Sequence, residues 1–347
     1  MPVGPTNGES IPLATGSALT DQVRASCAAV ARRAHFVHLN TDALPGYARR
    51  LDIDALAAPT IDPAYHVLAD PATTVSYFLT LDTINFGSGY FPAMRKRPGL
   101  SGYFTVAVSL KEAFARDGAW SAERLVSLTA ADCATVFGQA PDFPLMALFA
   151  RALNDLGRLL QSSYASDPFQ LLRAAGGSAE RFAALLTAMP YYRDVATYAG
   201  ESVAFYKRAQ LAAADLALAL ASPEVCARAA GADPLAALDG SPLFHDLDRL
   251  TIFADNLVPH VLRVDSLLRY DAGLLARINA QAPIPAGSPE EVEIRACAVH
   301  AVELLKAELA RAGQEVTSSQ LDYYLWTRGG GAIYKAQPRH RSPSVYY

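Results

Sequence analysis

The chain has 347 residues, of which 51% are hydrophobic and 18% are charged, and this composition excludes an intrinsically disordered protein. Its net charge of −4 and its scattered basic residues argue against a duplex nucleic-acid binder, which needs a basic surface facing the phosphates. No apolar run reaches the roughly 18 residues of a membrane span, and residues 1–10 lack the features of a signal peptide. We therefore expect a cytoplasmic protein that acts on a small molecule, with no stable nucleic-acid or membrane partner. The oligomeric state is left open.

Along the chain, residues 1–20 resemble a loose tail, and residues 21–347 form one unit in which alanine- and leucine-rich segments have helical spacing. The predicted helices cover 21–35, 106–117, 145–160, 178–188, 202–222, 260–280 and 290–312. Residues 74–81 fit either a strand or the end of a buried helix, and residues 195–205 fit a small hairpin around Gly200. The fold class is therefore mainly α, a single helical domain with at most a small β element.

Two helix starts are marked by capping residues. Ser288, Pro289 and Glu291 have the spacing of an N-cap, a first helical residue and the closing residue of a capping box. Within Thr251–Arg263, Asp255 or Asn256 precedes Pro259 at the spacing of a cap. Asp255 is then either a cap alone or a carboxylate placed to face a developing sugar cation.

The predicted helix 202–222 places Lys207 on the same face as Val203 and Leu211, so that the lysine interrupts an apolar stripe. Such a lysine extends to solvent, pairs with an acid or has a lowered pKa. Asp82 and Asn85 stand one helical turn apart after an apolar run, and buried polar groups of this kind need partners from the protein or from a ligand.

Metal and cofactor signals are weak. Glu293, Cys297 and His300 share one face of the predicted helix 290–312, a spacing much less specific than His-Glu-x-x-His. No C-x-x-C pair occurs among the four cysteines, and the glycine-rich nucleotide motifs and nucleophilic serine motifs are absent. We expect neither a metal nor a cofactor.

In the segments around Asp82, Lys207, Asp255 and Glu293, the chain resembles the queuosine salvage protein family, whose members are queuosine 5′-phosphate N-glycosylases/hydrolases. The resemblance covers nearly the whole chain beyond residue 20, and His66 has the spacing of the family's N-terminal histidine. The matching stretches are Asp82–Phe86, Ser101–Tyr103, Tyr192–Val195, Phe205–Gln210, Phe253–Asp255, Glu291–Arg295, Leu321–Trp326 and Tyr346–Tyr347.

The resemblance implies hydrolysis of the N-glycosidic bond of queuosine 5′-monophosphate, which releases the base queuine, and a fold similar to helix-hairpin-helix DNA glycosylases. It implies Asp255 as the catalytic carboxylate, acting as nucleophile or as stabiliser of the sugar cation, with Lys207 as its basic partner. It implies the substrate-binding residues His66, Asp82, Asn85, Tyr192, Arg193, Arg208, Phe253, Ala254, Asp322, Trp326 and Tyr347. The alternative is a non-catalytic binding protein for a 7-deazaguanine base or nucleotide.

The chemistry of the implied reaction suits these residue types. Breaking a ribose C1′–N bond develops oxocarbenium character, which a carboxylate beneath C1′ stabilises or attacks. A 7-deazapurine has no N7 to protonate, so the base must leave with help at its other edge, where Asp322 or Asp82 could accept hydrogen bonds. Lys207 would hold the 5′-phosphate or favour a charged Asp255.

Overall fold

The computed structural model describes residues 18–53, 56, 59–229 and 243–347, and in this part of the chain helices dominate. The helices are α1 Leu19–Arg33, α2 Leu44–Ala48, α3 Pro71–Thr83, α4 Gly102–Asp117, α5 Ala122–Ser127, α6 Ala130–Phe137, α7 Pro144–Ser163, α8 Pro168–Ala175, α9 Ala179–Leu186, α10 Lys207–Leu220, α11 Pro223–Arg228, α12 Val258–Val264, α13 Ala272–Asn279, α14 Pro289–Arg311, α15 Ser318–Arg328 and α16 Ala332–Lys335. The strands are β1 Val37–Leu39, β2 Val195–Tyr198, β3 Glu201–Ala204 and β4 Leu268–Tyr270. The mainly α prediction is confirmed, whereas the likeness to helix-hairpin-helix glycosylases stays a prediction.

Five of the predicted helices appear as α1, α4, α7, α9 and α14. Residues 1–17 of the predicted tail lie outside the described residues, and the division of the chain at residue 20 stays a prediction. Of the tail's last three residues, Leu19 and Thr20 already belong to α1, where the Thr20 N–H donates to Glu180 at 3.0 Å.

The ambiguous segment 74–81 is helical and lies inside α3. Asp70 caps the helix by accepting a hydrogen bond from the Thr73 N–H, and Pro71 occupies the first turn. Nearly every residue of α3 is buried, so its sequence has no polar face and shows no helical period. This burial explains why the sequence pattern alone did not distinguish a strand from a helix.

Two predicted helices, 202–222 and 260–280, are wrong in extent. Residues 201–204 form β3, so the helix begins only at Lys207. The second segment divides into α12, β4 and α13. Ser266 has a φ of 66°, which reverses the chain, and Asp271 caps α13 by accepting from the Gly273 and Leu274 N–H groups.

The two strand pairs are short and antiparallel. β2 and β3 form the predicted hairpin, with Ala199 and Gly200 at φ 49° and 83° in its two-residue turn. β4 pairs with β1, so that Val37 lies opposite Tyr270. This second pairing joins segments more than 200 residues apart and has no local sequence signal.

Helix α14 runs through the core, packing against α1, α2, α12 and α15. The Ser288 side chain accepts from the Glu291 N–H, as predicted for an N-cap. The predicted capping box does not close, because the Ser288 N–H donates to Pro285 instead. The Glu291 carboxylate therefore accepts hydrogen bonds from other donors, the Gly287 N–H at 3.0 Å and the Tyr347 hydroxyl at 2.8 Å.

Glu293 and Cys297 on α14 hold the fold together. The fully buried Glu293 carboxylate accepts hydrogen bonds from the backbone N–H groups of His35, Phe36 and Val37 and from the Tyr198 hydroxyl, at 2.6–3.0 Å. The Cys297 thiol contacts the Val37 carbonyl at 3.5 Å. Among the described residues, no three His, Cys, Asp or Glu side chains are grouped as a metal site, and no helix is long and apolar enough to cross a membrane.

We expect Glu293→Gln to lower the free energy of unfolding by about 2–3 kcal/mol, because an amide NH₂ would face donors that the carboxylate now satisfies. Denaturant unfolding measures the change. Glu201→Gln is the matched control, since its carboxylate pairs with Arg33 at the surface, where an ion pair contributes little. Equal stability of both variants would contradict the structural role of Glu293.

Candidate functional site

The loop Thr251–Leu257 carries Asp255 to the start of α12. Its Oδ1 accepts hydrogen bonds from the N–H groups of Leu257 and Val258 at 2.7 and 3.2 Å, and Pro259 lies in the first helical turn. The predicted cap is thereby confirmed. The half-buried side chain keeps its second oxygen, Oδ2, free of hydrogen bonds from the described residues.

Lys207 lies at the first residue of α10, not within a helical apolar stripe as the sequence predicted. Val203 belongs to β3, and Tyr206 between them has left-handed backbone angles, φ 48° and ψ 39°. An aromatic residue in this conformation is strained, and such strain collects at functional sites. The Lys207 side chain is 6% exposed, so it does not extend to solvent.

Lys207 stands among carboxylates. Burial lowers the pKa of its ammonium, while the negative charges of Asp255, Asp322 and Asp82 act in the opposite direction and Arg208 adds to the lowering. Three aspartates predicted from distant parts of the sequence, Asp82, Asp255 and Asp322, are thus within electrostatic reach of Lys207. Together with Lys207 they make four predicted residues in one region. We call these four residues and Asp215 the acidic cluster.

Asp322 on α15 fastens the Asp255 loop to the cluster. Its Oδ1 accepts from the Phe253 N–H at 2.8 Å, and the residue is 6% exposed. Burial raises the pKa of Asp322 well above its usual range, and the charge of Asp255 adds to this rise, whereas the Phe253 N–H and Lys207 lower it. Phe253 itself is buried beside it.

The far side of the cluster contains two more carboxyl groups, those of Asp82 on α3 and Asp215 on α10. Burial raises the pKa of Asp82 well above its usual range, and the Asp215 charge adds to the rise. Burial also raises the pKa of Asp215 to about 7, although Lys207 and a hydrogen bond with Asp82 lower it. Asn85, which the sequence placed one turn after Asp82, donates to Asp82 at 3.4 Å. Asp215 was not among the residues predicted for the site.

Aromatic rings line one side of this region. His66 contacts the Tyr103 hydroxyl through Nε2 at 3.0 Å, and the edge of Trp326 meets Tyr103 and Phe104 with ring centroids 6.2 and 6.0 Å apart. The charges of Asp215 and Asp82 act on Tyr103, which places this wall beside the carboxyl pair. Tyr103 belongs to a short Ser-Gly-Tyr sequence that carried no chemical signal of its own.

Arg208 and Tyr192 support the site from behind. The Arg208 guanidinium lies between the rings of Phe86 and Tyr192, each 4.7 Å from its carbon, and donates to the backbone carbonyls of residues 82, 83, 191 and 345. The Tyr192 hydroxyl contacts Thr83. These contacts show that both residues support the site, and their direct contact with substrate stays a prediction.

Arg193 is not brought to the cluster. Its exposed guanidinium donates to the carbonyls of Thr187 and Ala188 at 2.8 and 3.2 Å. The adjacent side chain of Asp194 turns inward instead, and sequence reasoning had given it no role.

Asp194 and Arg295 form a buried ion pair that joins both halves of the site. Arg295 donates two hydrogen bonds to Asp194, at 2.9 and 2.6 Å, and a third through Nε to the Ala254 carbonyl at 2.9 Å. Asp194 also accepts from the Lys207 N–H at 3.0 Å. The guanidinium lies over the rings of Phe205 and Tyr347, 3.9 and 4.6 Å from their centroids.

Tyr347 and Ala254 therefore support the site through their contacts with the ion pair of Asp194 and Arg295. The aromatic end of the chain is docked on the core, with Tyr347 2% exposed and its hydroxyl donating to Glu291. Ala254 contributes its carbonyl to Arg295. Both residues hold Arg295 in place next to the Asp255 loop.

The fold and the site together define a helical protein with buried carboxylates gathered around one lysine, next to an aromatic wall. A family model described as queuosine salvage protein matches residues 65–347, which include every predicted site residue. The chain belongs to the queuosine salvage protein family.

Several curated relatives carry the name queuosine 5′-phosphate N-glycosylase/hydrolase. The chain is 35% identical to the one from Sphaerobacter thermophilus, over 92% of this chain and 95% of the relative. It is 30% identical to that of Dictyostelium discoideum over 79% and 78% of the two chains, and 32% identical to that of Mus musculus over 60% of each.

We expect Asp194→Asn to lower the free energy of unfolding by about 3–5 kcal/mol, because it leaves the buried Arg295 charge unpaired. Chemical denaturation with fluorescence detection measures the loss. Asp155→Asn is the control, since its partner Arg158 is 56% exposed and the pair should contribute less than about 1 kcal/mol. A loss at Asp194 no larger than that of the control would contradict the role of the network.

Proposed function

We propose that this protein hydrolyses the N-glycosidic bond of queuosine 5′-phosphate and releases the base queuine. The identity of the substrate rests on one observation. A relative named queuosine 5′-phosphate N-glycosylase/hydrolase matches over 92% of this chain and 95% of its own length. The acidic cluster supports it, because a site for glycosidic cleavage needs a carboxylate placed to face a developing cation.

Asp255 is the residue that we assign to the sugar. Its Oδ1 is fixed by the N–H groups of Leu257 and Val258 at the start of α12, so the carboxylate has a defined orientation. Its Oδ2 has no hydrogen bond from the described residues and can face C1′, either attacking it or stabilising its positive charge. A preorganised charge in a site that excludes water contributes several kcal/mol, or roughly two to three decades of rate.

Lys207 serves Asp255 and not the phosphate in this proposal. The lysine is buried among carboxyl groups, and its ammonium offsets the repulsion among those that are ionised. An anionic phosphate would be poorly accommodated among these acidic groups. They suit a substrate that becomes positive at the sugar.

For the 5′-phosphate we assign Arg339, which is exposed and near enough to Asp255 for the two charges to interact. A guanidinium binds phosphate oxygens through paired N–H groups. The base would then lie against Trp326, Tyr103 and Phe253, since flat rings stack on one another. This places the sugar over Asp255, between phosphate and base.

The first test compares the wild type with Asp255→Asn, using queuosine 5′-monophosphate and mass spectrometry of released queuine. Asparagine keeps an oxygen for the cap, so the fold should persist while release falls by at least about 100-fold. Asp271→Asn is the matched control, because Asp271 caps α13 with the same two contacts, to the second and third residues after it. Undiminished release by Asp255→Asn would refute its catalytic role. Binding without release by the wild type would indicate a base-binding protein instead.

A second test concerns the phosphate. We expect Arg339→Gln to raise the KM for queuosine 5′-monophosphate by about 10- to 100-fold, because a charge-assisted contact is lost. The nucleoside queuosine, which lacks the phosphate, should be affected much less. Arg193→Gln is the control, as this exposed arginine binds backbone carbonyls away from the cluster. An equal effect of Arg339→Gln on both substrates would contradict phosphate binding.

A further inference from the structure

The carboxyl groups of Asp82 and Asp215 meet in the interior without enough donors to satisfy them. Asp82 is fully buried, and no N–H or O–H group of the described residues donates a hydrogen bond to its Oδ2. The Asp215 carboxyl group lies within hydrogen-bonding reach of Asp82. Two carboxylates have no proton to place between them, so a hydrogen bond joins them only when one of the two is protonated.

The described surroundings of the pair compensate its charge only in part. Lys207 and Arg208 both favour the charged form of Asp82, but Lys207 also interacts with Asp255 and Asp322. The two terminal nitrogens of the Arg208 guanidinium donate to backbone carbonyls, and its Nε has no partner among the described residues. The other groups that face the pair are neutral or negative: Tyr77, Asn85, Tyr103, Tyr192 and Asp322.

The pair is also well placed with respect to the rest of the site. Lys207 interacts with Asp255 on one side and with Asp82 on the other, and Tyr103 of the aromatic wall lies next to the pair. A nucleotide with its sugar over Asp255 and its base against that wall would direct an edge of the base toward Asp82 and Asp215.

We propose that Asp82 and Asp215 share one proton and donate it to the departing base, so that Asp215 is a further catalytic residue of the proposed hydrolysis. The inference rests on the proposed function and adds to it the acid that the reaction needs. A 7-deazapurine cannot be activated by protonation at N7, so a separate acid must act at another heteroatom of the base.

The proposed step balances. The C1′–N9 bond breaks and its electron pair moves to the base, where it is delocalised over the ring nitrogens and the carbonyl oxygen. The shared proton neutralises the base as it leaves. Water adds to C1′ and gives up one proton, which restores the carboxyl pair directly or through solvent. The products are neutral queuine and ribose 5-phosphate.

The test is the pH dependence of kcat for queuosine 5′-monophosphate. The protonated pair is the active form, and burial raises the pKa of Asp215 to about 7. We expect wild-type kcat to be retained below about pH 7 and to fall as the pH rises through this value. In Asp215→Asn the like charge that holds the proton on Asp82 is gone, so this fall should move to lower pH. At pH 7 its kcat should drop by about 100-fold or more, with KM little changed.

The controls separate this inference from the proposed function. Asp248→Asn changes an exposed carboxylate and should keep the wild-type profile. Asp255→Asn should lower kcat but keep the position of the fall. The proposal that the shared proton is the catalytic acid would be overturned by either of two results for Asp215→Asn: an unchanged pH profile of kcat, or a rise in KM with kcat unchanged. Failure of the wild type to release queuine at any pH would instead refute the proposed function.

A stability measurement reports on the proton without catalysis. The pKa of Asp215 is raised in the folded state above 3.8, so its contribution to stability is full below about pH 4 and is lost as the pH rises toward 7. We expect the unfolding midpoint of Asp215→Asn to fall less over this range than that of the wild type. Asp82→Asn should behave in the same way. Identical slopes for the wild type and both variants would show that no proton is shared.

Discussion

The geometry of the site depends on the buried ion pair between Asp194 and Arg295. Through it the first N–H of α10 and the carbonyl of Ala254 are fixed to the same two side chains. Lys207 and Asp255 lie next to these two anchoring points, so the pair sets their relative position. Such a pair contributes little net stability, because desolvating two charges offsets their attraction. The pair instead fixes the orientation of the groups that it binds, because the paired hydrogen bonds of a guanidinium permit only one arrangement.

The same pair explains why the aromatic C-terminal residues are folded back into the core. Tyr347 covers one face of the Arg295 guanidinium, Phe205 lies on another, and the Tyr347 hydroxyl satisfies Glu291. Burying a charge requires that water be excluded and every donor be occupied, and one helix could not do this alone. Residues from four segments outside α14 therefore converge on Arg295: Asp194, Phe205, Ala254 and Tyr347.

Features set by neighbouring residues were predictable from the sequence, and features set by distant ones were not. The Asp255 cap, the Ser288 cap and the hairpin at Gly200 each depend on a few consecutive residues. The strand pairing of Val37 with Tyr270 and the partnership of Asp194 with Arg295 depend on contacts across 100 residues or more, which leave no local pattern. The resemblance to a family indicated four residues of the cluster. Its matching stretches include Asp194 and Arg295 but did not indicate that the two pair, and they do not include Asp215.

Bringing the charged groups of the acidic cluster together out of water costs free energy, and this cost indicates that the cluster has a function. Four aspartates and one lysine are held together where charges are poorly solvated, and burial opposes the charged form of Lys207 as it does those of Asp82 and Asp322. A resting site of this kind is stabilised by any group that becomes positive within it. An oxocarbenium ion is positive only as the glycosidic bond breaks. Under the proposed function, the cluster would therefore favour the transition state over the bound nucleotide, and the developing positive charge would offset the repulsion among its carboxylates.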